Sequence, residues 1–189
     1  YIKPHHTFHD LLVIKCDLET SDLVDRGIWK SSEEDRKRLS DMVADYCYKY
    51  VLEILKVSRP VIARLAEMYP LVLVSNFYGN IETILADFDL QYFKHIVESA
   101  VVGIRKPDPR IFQLGVDALR KVTGKSDKEL PASNILVVGD SFSKDIVPAN
   151  EIGCKTVWIK GVGWGNEETD DSIPTFIIKN IAELENILG

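Results

Sequence analysis

Ile135-Leu136-Val137-Val138-Gly139-Asp140-Ser141-Phe142-Ser143-Lys144-Asp145 is the stretch on which the reading of this chain turns. Four apolar residues in a row leave no side for water, the mark of a strand covered on both faces in a parallel sheet. Gly139 permits a tight exit from that strand. Two carboxylates follow in the loop, where hard oxygen ligands can take Mg²⁺ octahedrally. A plainer account also fits, with Asp140 as a turn former and Asp145 as an acid favoured in a first helical turn. The local residues leave both accounts open. Pro148 would clash with the carbonyl of Lys144 in a regular helix begun at Ser143, so a delayed or bent start is expected.

Similar apolar runs lie to either side, at Leu71–Val74, Ile96-Val97, Ala100–Val102, Thr156–Ile159 and Thr175–Ile178. Helical stretches separate them, from Pro60 to near Tyr69, from Pro109 to about Val122, and from Ile181 to Leu188. Strands interleaved with helices give right-handed parallel βαβ units. The expected fold class is therefore α/β, a Rossmann-like parallel sheet with helices on both faces.

Ligands of such sheets sit beyond the carboxyl ends of the strands. Ser75 ends one run and offers a hydroxyl, and the backbone N–H groups of Asn76 and Phe77 can point at the same anion. A turn would explain the Ser-Asn pair equally simply. Lys106 precedes Pro107, which biases it towards an extended conformation, and Asp108 can cap a helix from Pro109. That leaves Lys106 projecting from a loop, either as a surface lysine or as a fixed ammonium facing an anion.

Residues 1–57 read as a small helical lobe and 58–189 as the core. Thr7 with Asp10, and Ser31 with Glu34, have capping-box spacing. Met42, Val43, Tyr46, Tyr50, Val51, Ile54 and Leu55 recur at three- and four-residue intervals, which predicts one buried helical face. The run Glu33–Arg38 is most simply a solvated first turn.

The formal charge of −6 over 189 residues, with no basic cluster, argues against a nucleic-acid or anionic-membrane partner. A small anionic substrate needs only one well-placed lysine. Cys16, Cys47 and Cys154 lack CxxC spacing and read as packed thiols of a reducing compartment, by default the cytoplasm. No apolar run is long enough to span a membrane.

Together, Val74-Ser75-Asn76-Phe77, Gly103-Ile104-Arg105-Lys106-Pro107-Asp108-Pro109 and the loop from Gly139-Asp140-Ser141 to Asp145 resemble, in order and spacing, the later motifs of the haloacid dehalogenase (HAD) superfamily. The resemblance covers about residues 58–165. It implies a hydrolase, most simply a phosphatase acting on a small phosphorylated substrate through an aspartyl-phosphate. Ser75 and Lys106 would hold the phosphoryl group, while Asp140, supported by Asp145, helps hold Mg²⁺. A phosphomutase uses the same residues. A haloacid dehalogenase does not need the magnesium loop.

Members of that superfamily begin with a strand ending Asp-x-Asp, whose first Asp is the nucleophile, and no such sequence occurs here. Asp17-Leu18-Glu19-Thr20 after Leu11–Cys16 is the nearest, but Lys15 would then lie inside a buried strand at high desolvation cost. Phe8, Leu11, Leu12 and Leu18 suit a helix capped by Thr7 instead. The expectation is that the nucleophile strand lies upstream of Tyr1. A binding module that keeps the phosphate pocket without a nucleophile is the non-enzymatic reading.

His5, His6 and His9 do not share a helix face if Thr7 is a cap, so a metal role for them is not expected. Gly161-Val162-Gly163-Trp164-Gly165 is not followed by a helical pattern and reads as a loop beside the site, with Glu167–Asp171 a solvated loop. Substrate identity and oligomeric state are not legible in the residues.

Overall fold

The computed structural model describes residues 1–161 and 168–188. The glycine run beyond Gly161, together with Glu167, lies outside the described residues. The chain divides into two compact units, Tyr1–Arg59 with Tyr78–Gln91, and Pro60–Phe77 with Tyr92–Gly189.

The first unit is helical. Helix α1 (Phe8–Asp25) opens with the capping box read from the sequence: the Asp10 amide donates to Thr7 Oγ1 at 3.2 Å, and the Thr7 amide donates to Asp10 at 2.9 Å. Leu11–Cys16 is therefore helix and not strand, and Lys15 faces Glu19 one turn on at 3.7 Å, both well exposed.

Helix α2 (Glu33–Met68) is capped one residue later than its spacing suggested. Ser32 Oγ, not Ser31, accepts from the Asp35 amide at 3.1 Å, taking the place expected for Glu34. Adjacent serines followed by adjacent acids satisfy the same pattern in either register. Arg36 joins the two helices and is only 5% exposed. It donates to Asp17 Oδ1 and Thr20 Oγ1, each at 3.0 Å, and to Glu33 at 2.7 Å. Asp17 is thus an ion-pair acceptor on a helix.

The apolar face expected to be buried on α2 is in large part exposed. Met42, Val43, Tyr46, Tyr50 and Ile54 are all at least half open to solvent, while Ser40 and Ala44 are fully buried. Two stripes compete on this helix, and the one with small residues is turned inward because it lets a neighbouring helix approach closely. Helix α3 (Ile81–Asp87) buries Ile81, Ile84 and Leu85. Phe88 beyond it meets Phe8 and Tyr48 with ring centroids 5.6 and 6.2 Å apart. These contacts place Tyr78–Gln91 with the N-terminal helices, whereas the chain-order reading ran the core unbroken from residue 58. The partners lie 80 and 40 residues away in sequence, beyond the reach of local periodicity.

The second unit is α/β. Strands β1 (Val72–Ser75) and β2 (His95–Glu98) pair in parallel, with Ser75 opposite Glu98. A second parallel sheet runs β3 (Leu136–Gly139), β4 (Lys155–Ile159) and β5 (Phe176–Ile178). The helices are α4 (Ser99–Val102), α5 (Arg110–Thr123), α6 (Val147–Glu151) and α7 (Leu184–Leu188). Ala100–Val102 is accordingly a helical turn and not a strand. So short an apolar run fits either state, and Gly103, at φ 70°, closes the turn in the left-handed region.

Pro60 also departs from expectation, since it lies inside α2 and does not start a new helix. It withholds one backbone hydrogen bond at a cost of roughly 3 kcal/mol. Val61 and Leu65, both deeply buried just beyond it, offset that cost by continuing the apolar face.

Two clusters cover the strands. Ile111, Phe112 and Val116 of α5 pack with Val72, Val74, Val97 and Val137, while Val61, Leu65 and Leu184 pack with Leu71, Leu136, Val157 and Ile178. Neighbours Leu136 and Val137 go to opposite clusters, as period-2 alternation requires. The two sheets are thus halves of one layer with helices on both faces. Among the described residues β1 pairs only with β2, and β3 only with β4, so each has an open edge.

Cys154 packs in the first cluster, and burial pushes its thiol up to about 11. At pH 8 this alone should slow its reaction with a disulfide reagent roughly a hundredfold relative to an ordinary thiol. Native protein is expected to leave Cys154 unlabelled until denaturant is added. Prompt labelling, mapped by peptide mass, would place the residue outside the core.

Candidate active site

Three strand ends and a loop of the second unit converge. Ser75 is the last residue of β1, and Asn76 follows it. The Asn76 side chain grips the backbone of the lysine loop: its Nδ2 donates to the Lys106 carbonyl at 3.0 Å, and its Oδ1 accepts from the Lys106 amide at 2.8 Å. Both ends of the side-chain amide are engaged by the backbone of Lys106. The Phe77 amide, expected to face an anion, donates instead to Ser99 Oγ at 3.1 Å, and that hydroxyl donates to the Phe77 carbonyl at 3.3 Å.

Lys106 is not a surface residue, its side chain being 16% exposed. Its Nζ donates to Asp145 Oδ1 at 2.6 Å and lies 5.8 Å from the centre of the Phe112 ring. The other Asp145 oxygen accepts from the Ser141 amide at 3.1 Å. The N-cap of α5 is Pro109, with no side-chain cap bond, so the helix starts one residue later than expected. Asp108, just ahead of it, accepts from the Arg110 amide at 3.0 Å, and the Arg110 guanidinium holds its carboxyl below the usual range.

The loop after β3 owes its shape to two residues. Pro148 sits in the first turn of α6, where its missing N–H is tolerated but cannot bond the Lys144 carbonyl of a helix begun earlier. Ahead of it Phe142–Ile146 winds as a π-helical turn, in which the Ile146 amide reaches back to the Ser141 carbonyl at 3.3 Å. This bent start turns Asp145 back towards β3. There Gly139 is required, because a Cβ on it would lie 2.3 Å from that of Asp145. Asp140 is exposed at the mouth of the loop, and its carbonyl accepts from the Trp158 indole at 3.1 Å.

The structure thus brings Ser75, Lys106, Asp140 and Asp145 to one end of the layered sheets. Three supporting residues escaped the sequence reading: Ser99, Trp158 and Glu98, which is 5% exposed opposite Ser75. Glu98 carried a signal, a carboxylate directly after the apolar pair Ile96-Val97. The other two look like ordinary members of a helix and a strand. Among the described residues no three His, Cys, Asp or Glu side chains gather so as to hold a metal ion. His9 is taken by Asp45 at 2.8 Å, and His6 accepts from the Lys3 amide at 3.1 Å. Nor, among the described residues, is any helix long and apolar enough to cross a membrane.

A family model for haloacid dehalogenase-like hydrolases matches residues 24–153, well over half of the chain. The chain belongs to this family. Among its relatives, a glyceraldehyde 3-phosphate phosphatase of Methanopyrus kandleri is 32% identical over 99 residues, covering 51% of this chain and 39% of that protein. The pyrimidine 5'-nucleotidase YjjG of Escherichia coli is 30% identical over 97 residues, covering 51% and 39% respectively. The chain therefore spans well under half the length of these relatives. Among solved structures, the HAD hydrolase YfnB of Bacillus subtilis, bound to magnesium, superposes with a TM-score of 0.58 at 19% identity, covering 96% of this chain and 82% of that one. This last likeness concerns the fold alone.

In this haloacid dehalogenase-like hydrolase, Mg²⁺ would find one exposed carboxylate, Asp140, with the Asp145 carboxylate already engaged by Lys106. That fits an ion commonly held by one or two protein carboxylates together with waters and substrate phosphate. Asp145 would then orient the site from behind.

Gly139→Ala forces Asp145 to move, and overpacking of this kind costs about 2 kcal/mol. Urea unfolding should show the loss. An unchanged midpoint would mean that the loop has room for a methyl group.

Proposed function

We propose that this hydrolase is a magnesium-dependent phosphatase of small phosphate monoesters, working through a phosphoaspartate. The observation that carries the reading is the partly buried Lys106 ammonium, fixed 2.6 Å from Asp145 beyond the ends of β1 and β3. A fixed cation among strand ends suits the charge that develops on a transferring phosphoryl group. The relatives named as phosphatases support the same chemistry. So does Asp140, whose exposed carboxylate suits a divalent cation and is not needed to displace a halide. The lack of basic clusters suits a small substrate in preference to nucleic acid, and the unpaired cysteines suit the cytoplasm.

Asp17 does not serve as the nucleophile in this reading, since it sits on α1 as a partner of Arg36. The open edges of β1 and β3 suit a further parallel strand between them, ending beside Ser75 and Asp140. An Asp at its end would attack phosphorus, forming an acyl phosphate as the bond to the substrate oxygen breaks and that oxygen takes a proton. Water then cleaves the acyl phosphate, releasing inorganic phosphate and restoring the carboxylate. Ser75 and Lys106 hold the phosphoryl oxygens, and Asp140 would hold Mg²⁺, which would supply charge neutralisation there. The second unit supplies this site, and the first is assigned the part of a cap that sets specificity.

Lys106→Ala in the intact protein should lower turnover of p-nitrophenyl phosphate at least ~100-fold with the fold retained, about 2.7 kcal/mol of transition-state stabilisation. Lys106→Arg should restore it only in part, because a planar fork does not replace a point charge. Asp140→Asn should weaken Mg²⁺ binding in calorimetric titration. Wild-type turnover in the alanine variant, or unchanged Mg²⁺ affinity, would remove the respective residue from the site.

A further inference from the structure

Asn76 stands next to Ser75 at the end of β1, yet its side-chain amide is engaged by the lysine loop. It makes two hydrogen bonds to a single residue, at 2.8 Å to the Lys106 amide and 3.0 Å to the Lys106 carbonyl. Only a primary carboxamide can accept from a backbone N–H and donate to the C=O of the same residue; a hydroxyl is too short, and a carboxylate cannot donate. The following residue, Pro107, has no N–H with which to tie this loop further. The root of the lysine side chain is thus fixed by Asn76, and its tip by Asp145 at 2.6 Å.

We propose that Asn76 is a positioning residue that acts through Lys106: it clamps the lysine backbone so that the ammonium stays in register with the Ser75 hydroxyl across the end of β1. This role rests on the phosphatase reading. Without the clamp, a flexible four-carbon side chain on a loose loop would find the carboxylate less often and the phosphoryl oxygens at varied distances. A loss of that kind falls on transition-state stabilisation, which depends on preorganised charge. In this role the Asn76 side chain acts on the Lys106 backbone and not on substrate or metal.

Two measurements on the intact protein test the clamp and its purpose separately. Hydrogen exchange resolved to the Lys106 amide should be slow in the wild type, slow in Asn76→Asp, which keeps the acceptor, and about tenfold faster or more in Asn76→Ala. Equal protection in all three overturns the clamp. The second measurement is a double-mutant cycle on turnover of p-nitrophenyl phosphate. Asn76→Ala alone should lower kcat by about tenfold or more, but should add less than about twofold in a Lys106→Ala background, because the group it positions is already gone. Losses that multiply would show that Asn76 meets the substrate itself, and overturn the positioning role. Should Asn76→Ala fail to fold, Asn76→Asp takes its place in the cycle, the carboxylate still holding the amide but not the carbonyl. Wild-type activity in Lys106→Ala would overturn the phosphatase reading and with it the purpose of the clamp, while the exchange rates would still report whether the clamp exists.

Discussion

A lysine and an aspartate 39 residues apart in sequence meet at 2.6 Å with little exposure, and the site is arranged around that pair. Withdrawing two charges from water is costly unless their remaining hydrogen-bonding capacity is met. Here Asp145 gains the Ser141 amide as a second donor, and the Lys106 backbone gains both ends of the Asn76 side chain. The bent π-helical turn brings the carboxylate back over the strand end, and Gly139 leaves room for it. Four local features that look unrelated along the chain thus serve one contact.

The open edges of β1 and β3 bear on the same pair. Both apolar clusters receive residues from strands of both sheets, or from positions immediately beside them, so the layers of helices run across the break while the strand hydrogen bonding does not. Parallel strands are normally buried on both faces and paired on their flanks, and unpaired backbone edges invite pairing. Every position of β1 is only half-buried, and Val138 of β3 is exposed. A strand inserted there would complete the pairing and deliver its carboxyl end to Ser75, Lys106 and Asp140 together.

How much of this was legible follows from the range of the forces involved. Runs such as Leu71–Val74 and Ile135–Val138 announce buried strands because uniform apolarity allows little else, and Thr7 with Asp10 announces a helix start because the capping geometry is local. Ser75, Lys106, Asp140 and Asp145 were legible as strand-end chemistry, but the Lys106–Asp145 contact was not, since no local pattern states which distant residue a side chain will meet. The apolar stripe of Met42, Tyr46 and Tyr50 misled for a related reason. Periodicity says that a face is apolar, whereas the choice between two such faces was made by the small volumes of Ser40 and Ala44, through tertiary packing. The engagement of the Phe77 amide by Ser99 likewise depends on two segments 22 residues apart.

A count of charge links the pair to the choice between phosphate and halide chemistry within this family. Lys106 and Asp145 nearly cancel in net charge, although the ammonium, with one of its three N–H donors on Asp145, keeps donors for a phosphoryl oxygen. Asp140 adds a further negative charge at the mouth. A phosphate monoester brings about −2 at neutral pH, and an attacking carboxylate would bring another. Such a site repels its substrate and nucleophile alike unless a divalent cation joins it, because like charges at close range in a partly buried site are weakly screened. A haloalkanoate carries a single carboxylate at some distance from the reacting carbon, and for it Asp140 would be a liability with no compensating use. On the proposed phosphatase reading, the exposed Asp140 makes chemical sense with a cation bound and a phosphoryl group to share, and the fixed Lys106, besides reaching the phosphoryl oxygens, makes sense as the group that keeps Asp145 from competing for that cation.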